Sequence, residues 1–237
     1  MANPYFQFKK FTVWHEKCAM KVGTDGVLLG AWTNILNAHY VLDIGTGTGL
    51  IALMLAQRCG AVIDAIDIDK DACEQAKENV AASPFNKQIH VYHTPLAEYI
   101  PLEGRRYNLI VSNPPYFVNS LKCPDKKRQT ARHTDTLPLS ELLQKCRQLL
   151  TTDGRLALIL PYEQKERLLE LSQEAYFYLL RETDVCPTPK SQPKRVLVEL
   201  AVQPVEHPQS NLLTIEQERH RYTEEFQAMV RDFYLKL

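Results

Sequence analysis

The sequence predicts an α/β fold: a seven-stranded, mostly parallel sheet with helices on both faces and an antiparallel C-terminal hairpin. Three observations predict it. Apolar, β-rich runs alternate with helix-period stretches from about residue 40 to 203. The first run ends in a glycine-rich turn that opens directly into an apolar helix. The last two runs are separated by a proline-rich stretch with no helix between them. Strands separated by helices join by right-handed crossovers and lie parallel, whereas strands joined by a loop alone fold back antiparallel.

Residues 1–40 precede the first strand as an N-terminal extension. Tyr40-Val41-Leu42-Asp43-Ile44 reads as a buried strand, ending in the loop Gly45-Thr46-Gly47-Thr48-Gly49. An apolar helix, Leu50 to Arg58, follows directly. Ala61 to Ile66 is the second strand and Lys70 to Ala82 the second helix, with Asp69 placed to cap it and Ser83-Pro84 to close it. Ile89 to Tyr92, Leu109 to Ser112 and Leu156 to Leu160 are three more strands. Beyond Pro161 a helix runs through Leu171, and Tyr176–Leu180 then pairs with Val196–Val202 as the hairpin, its turn in 187–193. Residues 204–237 add a C-terminal strand and helix.

A length of 237 residues corresponds to about 1.6 domains. Pro187, Pro189 and Pro193 imitate a linker, but the β-run resumes at once, so they read as a long hairpin loop. The expected organisation is therefore one domain over 1–237, with the core in 41–203. At 45% apolar and 24% charged residues the chain can bury a core and is not disordered. Lys+Arg and Asp+Glu both number 28, which excludes a uniformly basic coat but leaves room for a local basic patch. No unbroken apolar stretch is long enough for a membrane helix, and the N-terminus lacks the layout of a signal peptide, so neither a membrane span nor export is expected. Cys18, Cys59, Cys73, Cys123, Cys146 and Cys186 are dispersed, with no C-x-x-C pair or histidine cluster. They read as reduced thiols of a cytoplasmic protein without a metal site.

A glycine-rich turn between strand and helix lets a ligand approach the backbone closely. Here the glycines form G-x-G-x-G, not the dinucleotide pattern G-x-G-x-x-G, although an NAD enzyme remains the competing reading. Asp67 follows the second strand, at the distance from Gly45 where a carboxylate can take both hydroxyls of a ribose. Asp69 competes for that role but is better placed as a helix cap. The glycine spacing with Asp43 resembles the cofactor loop of class I methyltransferases. That resemblance implies a Rossmann-like sheet and S-adenosyl-L-methionine as cofactor, held by Asp43, Gly45, Gly47, Gly49 and Asp67. Such proteins commonly carry an acidic residue after the third strand, which His93-Thr94-Pro95-Leu96-Ala97-Glu98 lacks at the expected turn. Either the backbone near Leu96 or the Glu98 side chain is left to meet the adenine.

Ser112-Asn113-Pro114-Pro115-Tyr116-Phe117 follows directly on the fourth strand. Two prolines stop the strand at the edge of the sheet where ligands bind. There the Asn113 side-chain oxygen and the Pro114 carbonyl can accept the two hydrogens of an amino group, and the Tyr116 ring can stack on a planar substrate. Asn-Pro-Pro-Tyr resembles the active-site motif of methyltransferases acting on planar amide or amino nitrogens. Lys122, Lys126, Lys127, Arg128 and Arg132 stand against one Asp125 just beyond it, a local net of +4, and are candidate phosphate contacts. Lys190, Lys194 and Arg195 form a second basic cluster.

Further blocks carry a more specific resemblance. They are Phe8-Lys9-Lys10-Phe11-Thr12-Val13, the run Met20 to Trp32, Asp43 to Gly49, Ser112 to Phe117, Ala131-Arg132-His133-Thr134, Tyr222 to Phe226 and Asp232 to Leu235. Together they resemble, almost end to end, the bacterial tRNA adenine-N6 methyltransferases that modify the adenosine beside a valine anticodon. The resemblance implies action on tRNA at position 37, with Lys21 and Thr24 lying over the methionine half of the cofactor; a monomer is expected. Two rivals share the chemistry. A protein-glutamine N5-methyltransferase carries a sizeable helical domain before the glycine loop, which the short segment ahead of Gly45 cannot supply. A DNA adenine-N6 methyltransferase normally adds a target-recognition domain, for which the stretch between Pro115 and Leu156 leaves no room. A catalytically dead cofactor- or RNA-binding module is a third reading, against which the retained Asp67 and Asn113 argue.

Overall fold

Strands that are apolar on both faces need cover on both sides, and the helices of this chain supply it. The computed structural model describes residues 3–18, 20–115 and 138–236. Among them the strands are β1 (Tyr5–Gln7), β2 (Thr12–Trp14), β3 (Tyr40–Ile44), β4 (Val62–Asp67), β5 (Ile89–His93), β6 (Tyr107–Ser112), β7 (Leu150–Pro161), β8 (Tyr178–Cys186), β9 (Arg195–Ala201), β10 (Gln209–Thr214), β11 (Glu216–Glu218) and β12 (Arg221–Tyr222). The helices are α1 (Thr24–Trp32), α2 (Leu50–Arg58), α3 (Lys70–Ala81), α4 (Leu139–Leu149), α5 (Lys165–Glu174) and α6 (Glu224–Val230).

The main sheet runs β10-β8-β9-β7-β6-β3-β4-β5. All neighbours are parallel except β9, which is antiparallel to both β7 and β8. Side chains alternate across it, as the pleat requires. Val41, Ile63, Leu109 and Leu197 join one core with α1, α2 and α6, while Leu42, Ile66, Ile110 and Val198 join a second with α4 and α5.

The sheet holds eight strands where the pattern in the sequence counts seven. The eighth is β10, the C-terminal strand expected in 204–237; its exposed Gln209–Leu212 shows no apolar alternation, so its pairing with β8 is what places it. The hairpin is β8 with β9, but β8 starts at Tyr178 and continues to Cys186 rather than ending at Leu180. Tyr176 occupies a left-handed turn after α5 (φ 59°). The polar residues that mask β8 in the sequence have distant partners: Arg181 pairs with Glu199, Glu182 and Asp184 with Lys165, and Thr183 with Trp32. The helices α2 and α3 lie where expected to within one residue, and Asp69 caps α3 by accepting from the amides of Asp71 and Ala72.

The N-terminal extension holds α1 and, ahead of it, a β1–β2 hairpin fastened to α3. Trp14 donates its amide to Asn79 and accepts from the same side chain, and Phe8 bridges to Tyr234 near the C-terminus.

Candidate active site

The chain enters the sheet at β3, moves outward through β4 to β5, then returns to the other side of β3 as β6. The loops leaving β3 and β6 therefore part in opposite directions, opening a crevice beyond the carboxyl ends of the strands. Ile44 and Ser112 are partners in register, about 4.8 Å apart across the ladder. The residues that follow them are Gly45, whose amide donates to the Ile66 carbonyl of β4, and Asn113. Ser112 Oγ donates to the Ile44 carbonyl at 2.9 Å, fastening the two strand ends where the loops diverge.

All three loop glycines adopt left-handed φ, 71° at Gly45, 54° at Gly47 and 81° at Gly49, which other residues reach only with strain. A Cβ on Gly45 or Gly47 would meet nothing within 4 Å, so both border open space, whereas one on Gly49 would touch Ala76. Asp43 is fully buried beneath the loop; its Oδ2 accepts from Thr46 Oγ at 2.7 Å, while Oδ1 has no hydrogen-bond partner among the described residues. Burial pushes the Asp43 carboxyl up to about 7, opposed by the Thr46 hydroxyl and the Ala52 backbone and assisted by the Asp67 charge.

Asp67 stands at the mouth of the loop. Its Oδ2 accepts from the Gly47 amide at 2.8 Å and its Oδ1 from the Asp69 amide at 2.9 Å, so the carboxylate is oriented and each oxygen keeps a further lone pair. Cys18 and Cys73 lie beside Asp67, and burial pushes both thiols up to about 11, which favours the protonated thiol over the thiolate. An open glycine cradle, an orphaned buried carboxyl oxygen and an oriented carboxylate at the rim fit a nucleoside that bears an amino-acid arm.

Lys21 and Thr24 stand just before and at the start of α1, whose place is set by helix packing, and Thr24 also lines a separate cavity. Gly26 and Gly30 lie against Leu50 and Met54, so α1 and α2 run side by side with their N-termini at the same edge of the sheet. Both Lys21 and Thr24 are exposed there. Leu96 follows β5 in a short 3-10 turn, but its side chain is buried in the second core, so only its backbone remains for a ligand. Glu98 is exposed on the same turn. Asn113 is half-buried, Pro114 buried and Pro115 exposed at the end of β6. Tyr116, Lys122, Lys126, Lys127, Arg128 and Arg132 lie outside the described residues. The second basic cluster is not a unit: Arg195 donates to Asp25 at 2.9 Å and so braces the start of α1, while Lys190 and Lys194 are exposed.

Sequence reasoning passed over Asn79. Fully buried on α3, it donates to the carbonyls of Thr48 and Trp14, tying the glycine loop to the N-terminal hairpin. Its signal was available: Gln75 and Asn79 sit among Ala72, Ala76 and Val80 on the buried face of the helix, where polar residues need partners.

The family described as "Methyltransferase small domain" matches residues 21–176. A curated protein of Parabacteroides distasonis, named tRNA1(Val) (adenine(37)-N6)-methyltransferase, is 62% identical over 237 residues, covering all of both chains. The chain belongs to the tRNA1(Val) (adenine(37)-N6)-methyltransferase family. Solved structures agree on the fold. A predicted O-methyltransferase from Agrobacterium tumefaciens superposes with a TM-score of 0.66 at 17% identity, covering 88% of this chain and 96% of that one. A glycopeptide N-methyltransferase crystallised with S-adenosyl-L-methionine superposes with a TM-score of 0.55 at 12% identity, covering 78% and 90%. The sheet is thus the class I methyltransferase sheet, and the crevice between β3 and β6 is the candidate active site of a methyltransferase. Among the described residues no helix is long and apolar enough to cross a membrane, and no group of three or more His, Cys, Asp or Glu could hold a metal.

Proposed function

We propose that this protein transfers a methyl group from S-adenosyl-L-methionine to N6 of adenine 37 in a valine tRNA, as one domain working as a monomer in the cytoplasm. The observation that supports the reading is the register of β3 against β6, in which Ile44, just before the glycine loop, is the partner of Ser112, just before Asn113. Asp43, Gly45, Gly47, Gly49 and Asp67 would hold the cofactor, with Lys21 and Thr24 over its methionine half and the Leu96 backbone near its adenine. When bound, the cofactor supplies an activated sulfonium methyl group.

The exocyclic amine of adenine is a poor nucleophile because its lone pair is delocalised into the ring. Asn113 Oδ1 and the Pro114 carbonyl, each accepting one N–H, favour the pyramidal nitrogen and stabilise the positive charge that develops on it. Tyr116 stacks on the base once it has left the anticodon-loop stack. Holding both reactants in line supplies on the order of 7–11 kcal/mol, so no strong general base is needed. Lys122, Lys126, Lys127, Arg128 and Arg132 hold phosphates around the extruded nucleotide.

Incubation with labelled S-adenosyl-L-methionine and, separately, unmodified tRNA, DNA and release-factor protein, followed by digestion, tests the reading. N6-methyladenosine at position 37 of a valine tRNA is the expected product. Methylglutamine, or N6-methyladenine in DNA, would replace it.

A further inference from the structure

Away from the glycine loop, α1 borders a second hollow. A cavity of about 160 Å³ is lined by Thr24, Pro187, Glu216, Tyr222, Phe226 and Tyr234. It lies at the carboxyl edge of the sheet. Cys186 and Pro187 accept the amides of Ile215 and Glu216, and Arg195, at the start of β9, pairs with Asp25 on α1. The first turn of α1 therefore touches both the start of α2, through Gly26 against Leu50, and the cavity, through Thr24.

Three of the lining residues, Tyr222, Phe226 and Tyr234, are aromatic. The rings of Tyr222 and Phe226 are 4.8 Å apart, and those of Phe226 and Tyr234 6.4 Å apart. Such a volume falls below the roughly 300 Å³ of a drug-sized pocket and suits a single planar group. Among the lining residues Glu216 is the charged one, its carboxylate an acceptor for ring or exocyclic N–H donors, beside the hydroxyl-bearing Thr24, Tyr222 and Tyr234. The rim is basic. Arg219, His220 and Arg221 are exposed at the tip of the β11–β12 hairpin, where His220 is held at φ 67°, and Lys190 and Lys194 are exposed on the adjoining loop. Arg219, Arg221, Lys190 and Lys194 form no ion pair among the described residues, and the acidic residues of the hairpin are Glu216 and Glu218. Aromatic walls inside a cationic rim are the chemistry that receives an unstacked nucleobase with its phosphates.

We propose that this cavity is a second RNA subsite, taking the base of a nucleotide that flanks the target adenine, while Arg219, Arg221 and Lys190 hold the phosphates beside it. This rests on the tRNA reading above. Stacking on Tyr222 supplies affinity, and Glu216 selects a base that presents N–H donors toward it. The position of the target adenine is then set by two extruded bases rather than one.

The test measures binding of a labelled anticodon stem-loop RNA, intact or with an abasic residue at each non-target loop position in turn. The wild-type protein should lose about tenfold in affinity at one flanking abasic position, the loss of one base–aromatic stack. Tyr222→Ala should bind the intact RNA about tenfold more weakly, be indifferent to that abasic position and keep its cofactor affinity, while Tyr222→Trp stays near wild type. Arg219→Ala/Arg221→Ala, at an exposed tip, should flatten the slope of log Kd against log salt by about 1.4, and it carries the test alone if Tyr222→Ala does not fold. Equal abasic sensitivity in Tyr222→Ala and wild type, or an unchanged salt slope in the double variant, overturns the proposal. Because binding is read without turnover, a wild-type protein that methylates tRNA while showing neither effect refutes only this inference. One that forms no N6-methyladenosine refutes the function itself.

Discussion

At Asp43 a carboxyl is sealed under the glycine loop with one oxygen bonded to Thr46 and the other unmatched. Burial raises its pKa to about 7, from an ordinary value near 4. Between those values the native state keeps a proton that the unfolded chain releases, so stability declines as pH rises from about 4 to about 7. Urea midpoints should therefore fall from pH 5 to pH 8, and Asp43→Asn should flatten the profile. The sign reverses for a cationic ligand: S-adenosyl-L-methionine should bind more tightly as the carboxyl ionises between pH 6 and pH 8, which calorimetry of wild type and Asp43→Asn would measure. Asn113 acts on the other reactant. Asn113→Ala should lower the methyl-transfer rate by about 10²-fold or more, the scale of losing one transition-state hydrogen-bond partner, with little change in cofactor affinity. Turnover at the wild-type rate would remove Asn113 from the mechanism.

Among the elements, α1 and α2 are the pair on which the site's geometry depends. A Cβ at Gly30 would lie 2.8 Å from Met54 Sδ and 2.9 Å from its Cβ, and Met54 is fully buried. In an isolated helix Gly→Ala would stabilise by about 1 kcal/mol. Here overpacking costs about 1–3 kcal/mol and outweighs it. Gly30→Ala should therefore lower stability in chemical denaturation and weaken cofactor binding by displacing the start of α1; a stabilised variant would show that the two helices can slide apart freely. The same elements show what was legible in the sequence. The apolar α2 and the capped α3 were readable because periodicity and capping act within a few residues. The full length of β8 was not, since Arg181, Glu182 and Asp184 look like loop residues until Glu199 and Lys165 are brought beside them.

Over the whole molecule, neutrality conceals a division of charge. Glu199, with no exposed side-chain surface, holds Arg155 at 2.8 Å and also Arg181, whose guanidinium stacks 3.7 Å over the Trp32 ring. This network joins β7, β8, β9 and α1. Glu199→Gln would leave two arginines facing each other without their anion, at a cost toward the low end of about 3–5 kcal/mol because both keep some solvent. Urea denaturation of that variant checks it, and an unchanged midpoint would mean that solvent alone satisfies the arginines. By contrast, Arg219, Arg221, Lys190 and Lys194, on the hairpin tip and the loop after Pro187, are exposed.

By itself the sequence determined the alternation of strand and helix, the left-handed glycine loop after β3 and the proline-stiffened end of β6. Each follows from backbone constraints or a local hydrophobic period, which act between near neighbours in the chain. Only the tertiary structure decided that β3 and β6 lie side by side with Ile44 opposite Ser112, that Asp43 is sealed from water, and that residues near 24, 187 and 222 close one cavity. Those are contacts between distant segments, set by how two layers of helices bury both faces of one sheet, and no local pattern carries them.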